Sequence, residues 1–257
     1  MTQMQKIIKY CAIAFAVFLS ITIFAAIFRA GWVVLNAVGA INANDDIIYE
    51  DLTLISDGAE DISSLNIDLN TSELKIETGD SFKVLTNNKK IEYVNENGNI
   101  SIEEKGKSNW TFSSDKHSQL VIYIPKDKSE LKYVEIDLGV GETEIDGLTA
   151  TEYAKINGGV GELTITSSKI NNLDLDVGVG ESNIKAELSG NNKIDTGVGE
   201  VNLSLTGTEE EYTFDVDKGI GTVMLNGRKL SDDSITGTGS NMIEISGGIG
   251  EIEIKTL

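Results

Sequence analysis

Residue types that build metal centres, cross-links and kinks are nearly missing from this chain. Among its 257 residues there is one cysteine (Cys11), one histidine (His117) and one proline (Pro125). A single cysteine excludes an intrachain disulfide and a cysteine-based metal site, and a single histidine excludes a multi-histidine centre. No motif places a serine or cysteine beside His117, so the sequence gives no sign of nucleophilic catalysis.

Basic residues are also scarce. The chain has 41 acidic and 21 basic residues, a formal net charge of −20, and every acidic residue follows Asn44. Such an acidic body repels phosphate backbones, which excludes nucleic acid as a partner. Arginine occurs only as Arg29 and Arg228, unlike the mixed Asp, Arg, Lys and aromatic clefts of polysaccharide-cleaving β-helices. We therefore expect no enzymatic activity and no cofactor.

One long apolar run stands near the N-terminus, where residues 10–28 are 19 consecutive uncharged residues. As a helix they span about 28 Å, close to the ~30 Å hydrocarbon core of a bilayer. Lys6 and Lys9 precede the run and the loop after it is acidic, so the positive-inside rule predicts a cytoplasmic N-terminus. The alternative is a cleaved signal peptide, with Ala40 and Ala43 as small residues at the cleavage site.

The retained-anchor interpretation divides the chain into four parts. Residues 1–9 form a cytoplasmic tail, 10–35 a single-pass transmembrane helix in the lipid bilayer, and 36–60 a linker. Residues 61–257 form an extracytoplasmic domain. The expected location is therefore the cell membrane, with the C-terminal domain outside the cytoplasm.

A Gly-Val/Ile-Gly-Glu/Thr motif recurs six times, at intervals of 20, 19, 19, 22 and 29 residues. Glycines are expected here because they permit positive φ and remove Cβ where stacked coils turn at about 4.8 Å spacing. The predicted structural glycines are Gly139, Gly141, Gly159, Gly161, Gly178, Gly180, Gly197, Gly199, Gly219, Gly221, Gly248 and Gly250.

Three columns of branched aliphatic residues align with these motifs, separated by polar residues. Period-two alternation on both sides of a glycine corner predicts two short strands in each repeat. Since one such unit cannot bury its apolar face alone, the repeats predict a parallel β-solenoid with all three columns in its core. The columns are Ile136, Ile156, Leu175, Ile194, Val216 and Ile245; Val140, Val160, Val179, Val198, Ile220 and Ile249; and Ile145, Ile165, Ile184, Leu203, Leu225 and Ile254.

The segments around the regular repeats are predicted from weaker patterns. Residues 65–76 imitate a repeat, which indicates a degenerate first coil. Residues 82–124 alternate in longer runs around Asn97-Gly98, a hairpin signal, and are expected to cap the open end of the stack. Residues 131–257 are then the regular coils, and 226–240 a loop projecting from them. The predicted fold is all-β: a single-pass N-terminal transmembrane helix followed by a parallel β-solenoid of ~19–20-residue Gly-x-Gly-Glu coils with a β-hairpin cap.

The motif glutamates offer the one candidate site in the repeats. Glu142, Glu162, Glu181 and Glu200 share one column, where neighbours would lie about 4.8 Å apart. They form either a weak, unselective ladder for divalent cations or merely solvated carboxylates. No specific metal site is expected, because Leu163 and Ile252 stand where calcium-binding repeats carry their liganding aspartate.

The apolar run, the degenerate coil, the strand ending in Ile124-Pro125 and the Gly-x-Gly-Glu coils resemble the bacterial membrane-anchored "putative adhesin" family of β-strand-repeat proteins. The resemblance covers about residues 62–257 and implies a cell-envelope protein with relatives near envelope-stress systems. The family defines no catalytic residues.

Together these observations favour a non-enzymatic, membrane-anchored extracytoplasmic β-solenoid that serves as an envelope scaffold or adhesin-like interaction module. Its partner would be an envelope protein or a wall polymer. The alternative function is an accessory regulator of cell-envelope stress signalling that binds a membrane partner through the anchor or the cap.

Overall fold

A computed structural model describes residues 52–58, 61–106, 118–126 and 130–257. The predicted tail and transmembrane helix, Cys11 and His117 lie outside the described residues. Within the described ranges, no helix is long and apolar enough to cross a bilayer. The regular elements there are β-strands, apart from short 3₁₀ turns such as Glu209–Glu211.

Nineteen strands lie within the described ranges of the domain. In chain order they are β1 (Thr53–Asp57), β2 (Ser64–Leu69), β3 (Glu73–Gly79), β4 (Lys83–Thr86), β5 (Ile91–Glu96), β6 (Asn99–Glu104), β7 (Gln119–Pro125), β8 (Glu130–Leu138), β9 (Val140–Asp146), β10 (Thr149–Asn157), β11 (Val160–Asn171), β12 (Leu173–Ser189), β13 (Asn191–Leu205), β14 (Tyr212–Asp217), β15 (Ile220–Leu225), β16 (Arg228–Lys229), β17 (Ser234–Gly237), β18 (Asn241–Ser246) and β19 (Ile249–Thr256).

The strands stack mainly as two parallel rows joined at the glycine corners. A shorter third row joins parts of β8, β10, β11 and β12, where Ala150 pairs with Leu131 and Ile170, and Ile170 with Leu188. The strands before the corner follow the spatial order β6–β2–β8–β10–β12–β13–β18–β14. Those after it follow the order β7–β3–β9–β11–β12–β13–β19–β15. Strands β12 and β13 run through the corner and belong to both rows. The parallel β-solenoid predicted from the repeat is confirmed.

The spatial order of the coils departs from chain order at both ends of the stack. The first coil, β2–β3, is the second in space, because β6–β7 lies outside it. The last coil, β18–β19, is inserted between β13 and β14–β15. The prediction that residues 82–124 only cap the array was therefore incomplete, since β6 and β7 are full members of the two rows.

Antiparallel strands cover both ends. At one end β4 pairs with β7 and β5 with β6, the latter through the predicted Asn97-Gly98 hairpin, and β1 adds to β4 although residues 36–60 were expected to be linker. At the other end β16 pairs with β15 and β17 with β14. Residues 226–240 are thus a second cap and not a projecting loop, because an exposed row of strand edges needs covering.

Two of the three aliphatic columns form the core, but the third does not. The columns that include Ile136 and Ile145 are buried in every coil. The Val140 column was wrongly predicted to be buried, because it lies five residues before the Ile145 column, and an odd spacing along a strand reverses the facing. The inward position beside it is the second motif glycine, and the next inward position carries the buried side chains of Leu163, Val201 and Ile252.

Candidate functional site

The glycine corner brings successive coils very close together. The N–H of Val160 donates to the carbonyl of Gly139 at 2.8 Å, and that of Val179 to Gly159 at 2.9 Å. A Cβ on Gly180 would lie only 1.8 Å from the carbonyl oxygen of Gly161. This tight backbone ladder fixes the outward side chains on each side of the corner in register, so that they form continuous columns.

The predicted glutamates do lie in one column. Glu162 is the register partner of both Glu142 and Glu181, and Glu181 of Glu200. The structure extends this set at both ends, through Glu73 beside Glu142 and Glu251 beside Glu200. We call Glu73, Glu142, Glu162, Glu181, Glu200 and Glu251 the glutamate column. Sequence reasoning missed Glu251 because the last coil was not expected to stack on β13.

Repulsion within the glutamate column is partly relieved by neighbouring groups. Burial raises the pKa of Glu142, and the charges of Glu162, Glu73 and Glu144 raise it further. The side-chain amide of Asn183 donates to Glu181 at 3.0 Å. At the Glu73 end the amide of Gln119 donates at 3.1 Å. The carboxylates of the column therefore receive hydrogen bonds from the same strand at Glu181 and from a neighbouring strand at Glu73.

A convergent metal site is not formed by the glutamate column. Within the described ranges, the one group of three acidic side chains whose oxygens lie within 4.8 Å of one another is Asp217, Asp232 and Asp233, all exposed. The weak cation ladder at the motif glutamates remains a prediction. Leu163 and Ile252, which replace the liganding aspartate of calcium-binding repeats, are buried as expected.

A second acidic column lies on the other side of the corner. Its members occupy the register row Asp68, Asp137, Asn157, Asp176, Asp195, Ser246 and Asp217. We call the five acids in this row the aspartate column. Burial raises the pKa of Asp68, as do the charges of Asp137, Glu103 and Glu104. The amide of Asn157 donates to Asp137, and Lys193 pairs with Asp195 at 2.5 Å.

The outward aliphatic residues lie between the two acidic columns. In spatial order they are Val140, Val160, Val179, Val198, Ile249 and Ile220, which we call the aliphatic ridge. Five of the six are among the exposed large hydrophobic residues, with Val140 58% and Ile220 61% exposed, and Val179 is half-buried. The corner thus presents an apolar stripe with carboxylates along both flanks.

The row of corners ends at the β6–β7 coil with a buried carboxylate, Glu104. No sequence motif marks this residue. Glu104 accepts hydrogen bonds from the backbone N–H groups of Asn70 and Thr71, both at 2.9 Å, and from the amide of Asn88 at 3.0 Å. Burial opposes its ionisation, but these bonds and one from Ser72 hold the pKa of Glu104 below its usual value. Its carboxylate thus takes the place of the carbonyl that a further coil would supply.

The sequence profile of the Toastrack DUF4097 family matches residues 62–231. The chain belongs to the Toastrack DUF4097 family. The family resemblance inferred from the motifs is thereby confirmed. The matched range of this Toastrack chain ends before coil β18–β19, although that coil lies inside the stack.

Among the solved structures similar to this Toastrack protein is one that is matched over nearly its whole length. It is the 1.95 Å crystal structure of a "putative cell adhesion protein" from Clostridium sporogenes, with 20% sequence identity and a TM-score of 0.49. The similarity covers 80% of this chain and 98% of that chain. No curated protein matches the chain.

The corner face of the Toastrack domain combines three kinds of side-chain group. Its groups are aliphatic side chains, carboxylates and amides, displayed in rows along the stack. Rows of this kind can bind an extended partner over several coils, as the long surfaces of other repeat proteins do.

Proposed function

We propose that this Toastrack protein is a non-enzymatic interaction module of the bacterial cell envelope. Residues 10–35 would hold it in the membrane, and the β-solenoid would lie outside the cytoplasm and bind an envelope partner. The observation that carries the proposal is the corner face, where the aliphatic ridge and both acidic columns are displayed in register.

Several features of the chain support this proposal. Folded soluble domains rarely expose a contiguous apolar stripe, and such stripes usually mark interaction sites. The uncharged run at 10–28 has lysines only on its N-terminal side, which suits a cytoplasmic N-terminus. A rigid stack of parallel coils also suits binding through an extended surface, since each coil is fixed by its two neighbours.

The location is tested by proteolysis of intact protoplasts that express the full chain with a C-terminal tag. We expect added protease to remove the tag and leave a small membrane-bound fragment. Full protection of the tag would contradict the proposed orientation. A mature N-terminus at Ile41 or Asn44 would show that the apolar run is cleaved as a signal peptide.

The binding role is tested by chemical cross-linking in cells, followed by purification through the same tag. A specific membrane protein among the products would favour the regulatory form of the module, whereas retained wall material would favour a scaffold or adhesin. Recovery of neither above an untagged control would contradict an interaction role.

A further inference from the structure

The strand backbone does not by itself require aliphatic residues at the six positions of the aliphatic ridge. The next outward column beyond the glutamate column, on the same strands, contains Glu144, Thr164, Asn183 and Asn202, which are polar. Both columns have the same parallel strand environment, so β-propensity alone does not explain six branched aliphatic residues in one of them. Leaving such a stripe in water forgoes burial in every coil, which points to a partner that covers it.

Charge restricts what that partner can be. The ridge is flanked by the six acids of the glutamate column and the five of the aspartate column. Anionic polymers, anionic lipid headgroups and the same face of a second copy would all be repelled. A partner that places apolar side chains on the ridge and positive groups on both flanks is complementary.

The spacing of the ridge favours a helix as that partner. Six coils at about 4.8 Å make a ridge about 24 Å long, equal to about 16 residues of α-helix. The apolar stripe of an amphipathic helix returns once per turn, about every 5.4 Å, which is close to the coil spacing. An extended strand presents side chains to one face only every ~6.7 Å, and would lose register within a few coils.

We infer that the aliphatic ridge binds a basic amphipathic helix of a partner protein. The apolar stripe of the helix lies along Val140 to Ile220, and its lysines or arginines pair with the glutamate column on one flank and the aspartate column on the other. This inference rests on the proposed interaction function and names the chemistry of the partner.

The test uses the full chain in a neutral detergent and a fluorescent peptide of about 16 residues, made of leucine and lysine in amphipathic helical order. A scrambled peptide of the same composition is the control for charge alone. We expect the ordered peptide to bind more tightly than the scrambled one by fluorescence anisotropy. Equal binding of the two peptides would overturn the inference.

The ridge itself is tested by replacing Val160, Val179 and Val198 together with threonine. Threonine keeps the β-branched shape, so the fold is preserved while apolar contact is lost. We expect peptide binding to weaken by roughly tenfold or more. The matched control is Ile235→Thr, which changes a 69% exposed aliphatic residue on capping strand β17 and should have no effect.

The flanking charge is tested by replacing Glu162, Glu181 and Glu200 together with glutamine. Binding should weaken and depend less steeply on salt concentration, because fewer charge pairs form. Neutralising the exposed Glu96, Glu130 and Glu210, which lie away from the corner, changes the net charge equally and should change binding far less. Equal effects of the two sets would overturn the assigned site.

A photo-cross-linking version of the ordered peptide needs no variant. On the native chain, cross-links mapped by mass spectrometry should concentrate on ridge residues, and cross-links elsewhere would refute the docking surface. The inference and the proposed function can fail separately. If the threonine variant captures the same partner in cells as the native chain, the ridge is not the docking site, although the module still has a partner.

Discussion

The second glycine of each motif makes a sharp prediction, because its hydrogen faces the backbone of the neighbouring coil. In Gly180→Ala the new methyl group would lie 1.8 Å from the carbonyl oxygen of Gly161. The backbone at Gly180 also has φ +146°, which side chains rarely adopt. Both effects disfavour alanine in the folded state and neither is relieved by moving a flexible side chain.

The cost follows from how the corner is bonded. Relieving the overlap requires the coils to separate by roughly 1 Å or more, which breaks bonds such as that from Val179 to Gly159, now 2.9 Å. Two or three such bonds contribute about 1 kcal/mol each, and the backbone strain adds about 1–3 kcal/mol. The expected loss of unfolding free energy is about 3–6 kcal/mol, or a fall in Tm of about 6–24 °C.

Thermal unfolding followed by circular dichroism measures this loss, and hydrogen exchange should show faster opening of β11, β12 and β13. The matched control is Gly227→Ala in the β15–β16 turn. Gly227 has φ +78° with no atom within 4 Å of a Cβ, so it should lose only about 1 kcal/mol. If the two variants lost equal stability, close approach of the coils could not be what requires glycine at the corner.

Four other tests address the rest of the structure. Glu104→Ala should lose about 2–3 kcal/mol in urea denaturation, because the corner N–H groups lose a charged acceptor, and Glu104→Gln should lose less. Leu175→Asp, in the core, should lose about 4 kcal/mol or more, whereas Val179→Asp, on the ridge, should lose about 1 kcal/mol; similar losses would contradict the assigned facing. Because the pKa of Glu142 is raised in the folded state, the folded protein binds a proton at Glu142 more tightly than the unfolded chain does. The stability that this proton provides is fully present below the ordinary pKa of 4.5 and is lost as pH rises through the folded-state pKa. Glu142→Gln should therefore raise Tm at pH 7, and the difference should vanish in a melt well below pH 4.5. Millimolar calcium or magnesium should raise the Tm of the native chain modestly and equally, and a variant with the glutamate column neutralised should not respond.

The repeat interval predicted the stack because it encodes a local unit. Each copy repeats the same strand–corner–strand pattern, and parallel stacking is the arrangement that aligns Gly159, Gly178 and Gly197 with one another. The outward orientation of the aliphatic ridge could also have been predicted from the sequence. Val160 and Ile165 are five residues apart on one strand, and strict alternation already places them on opposite faces.

The spatial order of the coils could not be predicted from the repeat spacing or from the alternation of side chains. Ile249 stacks between Val198 and Ile220, but its motif would fit equally well after Ile220, because every copy presents the same pattern to its neighbours. The choice depends on residues that cover the ends, which are read only in three dimensions. The role of Glu104 was hidden for the same reason, since its acceptor oxygens serve N–H groups 33 and 34 residues away in sequence.

At each end of the stack two coils are exchanged, so that the outermost coil is not the one expected from chain order. The segment that connects the two exchanged coils forms the cap at that end. Between the exchanged coils β2–β3 and β6–β7 the chain forms β4 and β5, which pair antiparallel with the two strands of the outer coil. Between β14–β15 and β18–β19 it forms β16 and β17, which do the same at the other end. The segment that connects each exchanged pair therefore covers both exposed rows of the outermost coil.

This arrangement also sets the length of the aliphatic ridge. At one end the motif is replaced by Asn70-Thr71-Ser72-Glu73, whose corner N–H groups donate to the carboxylate of Glu104 in β6 instead of to the backbone carbonyls of another motif. At the other end the ridge stops at Ile220, in the coil that β16 and β17 cover. Because the motif does not continue beyond Val140 at one end and capping strands cover the coil of Ile220 at the other, the ridge remains six residues long. A partner helix that follows it must match a fixed length of about 24 Å.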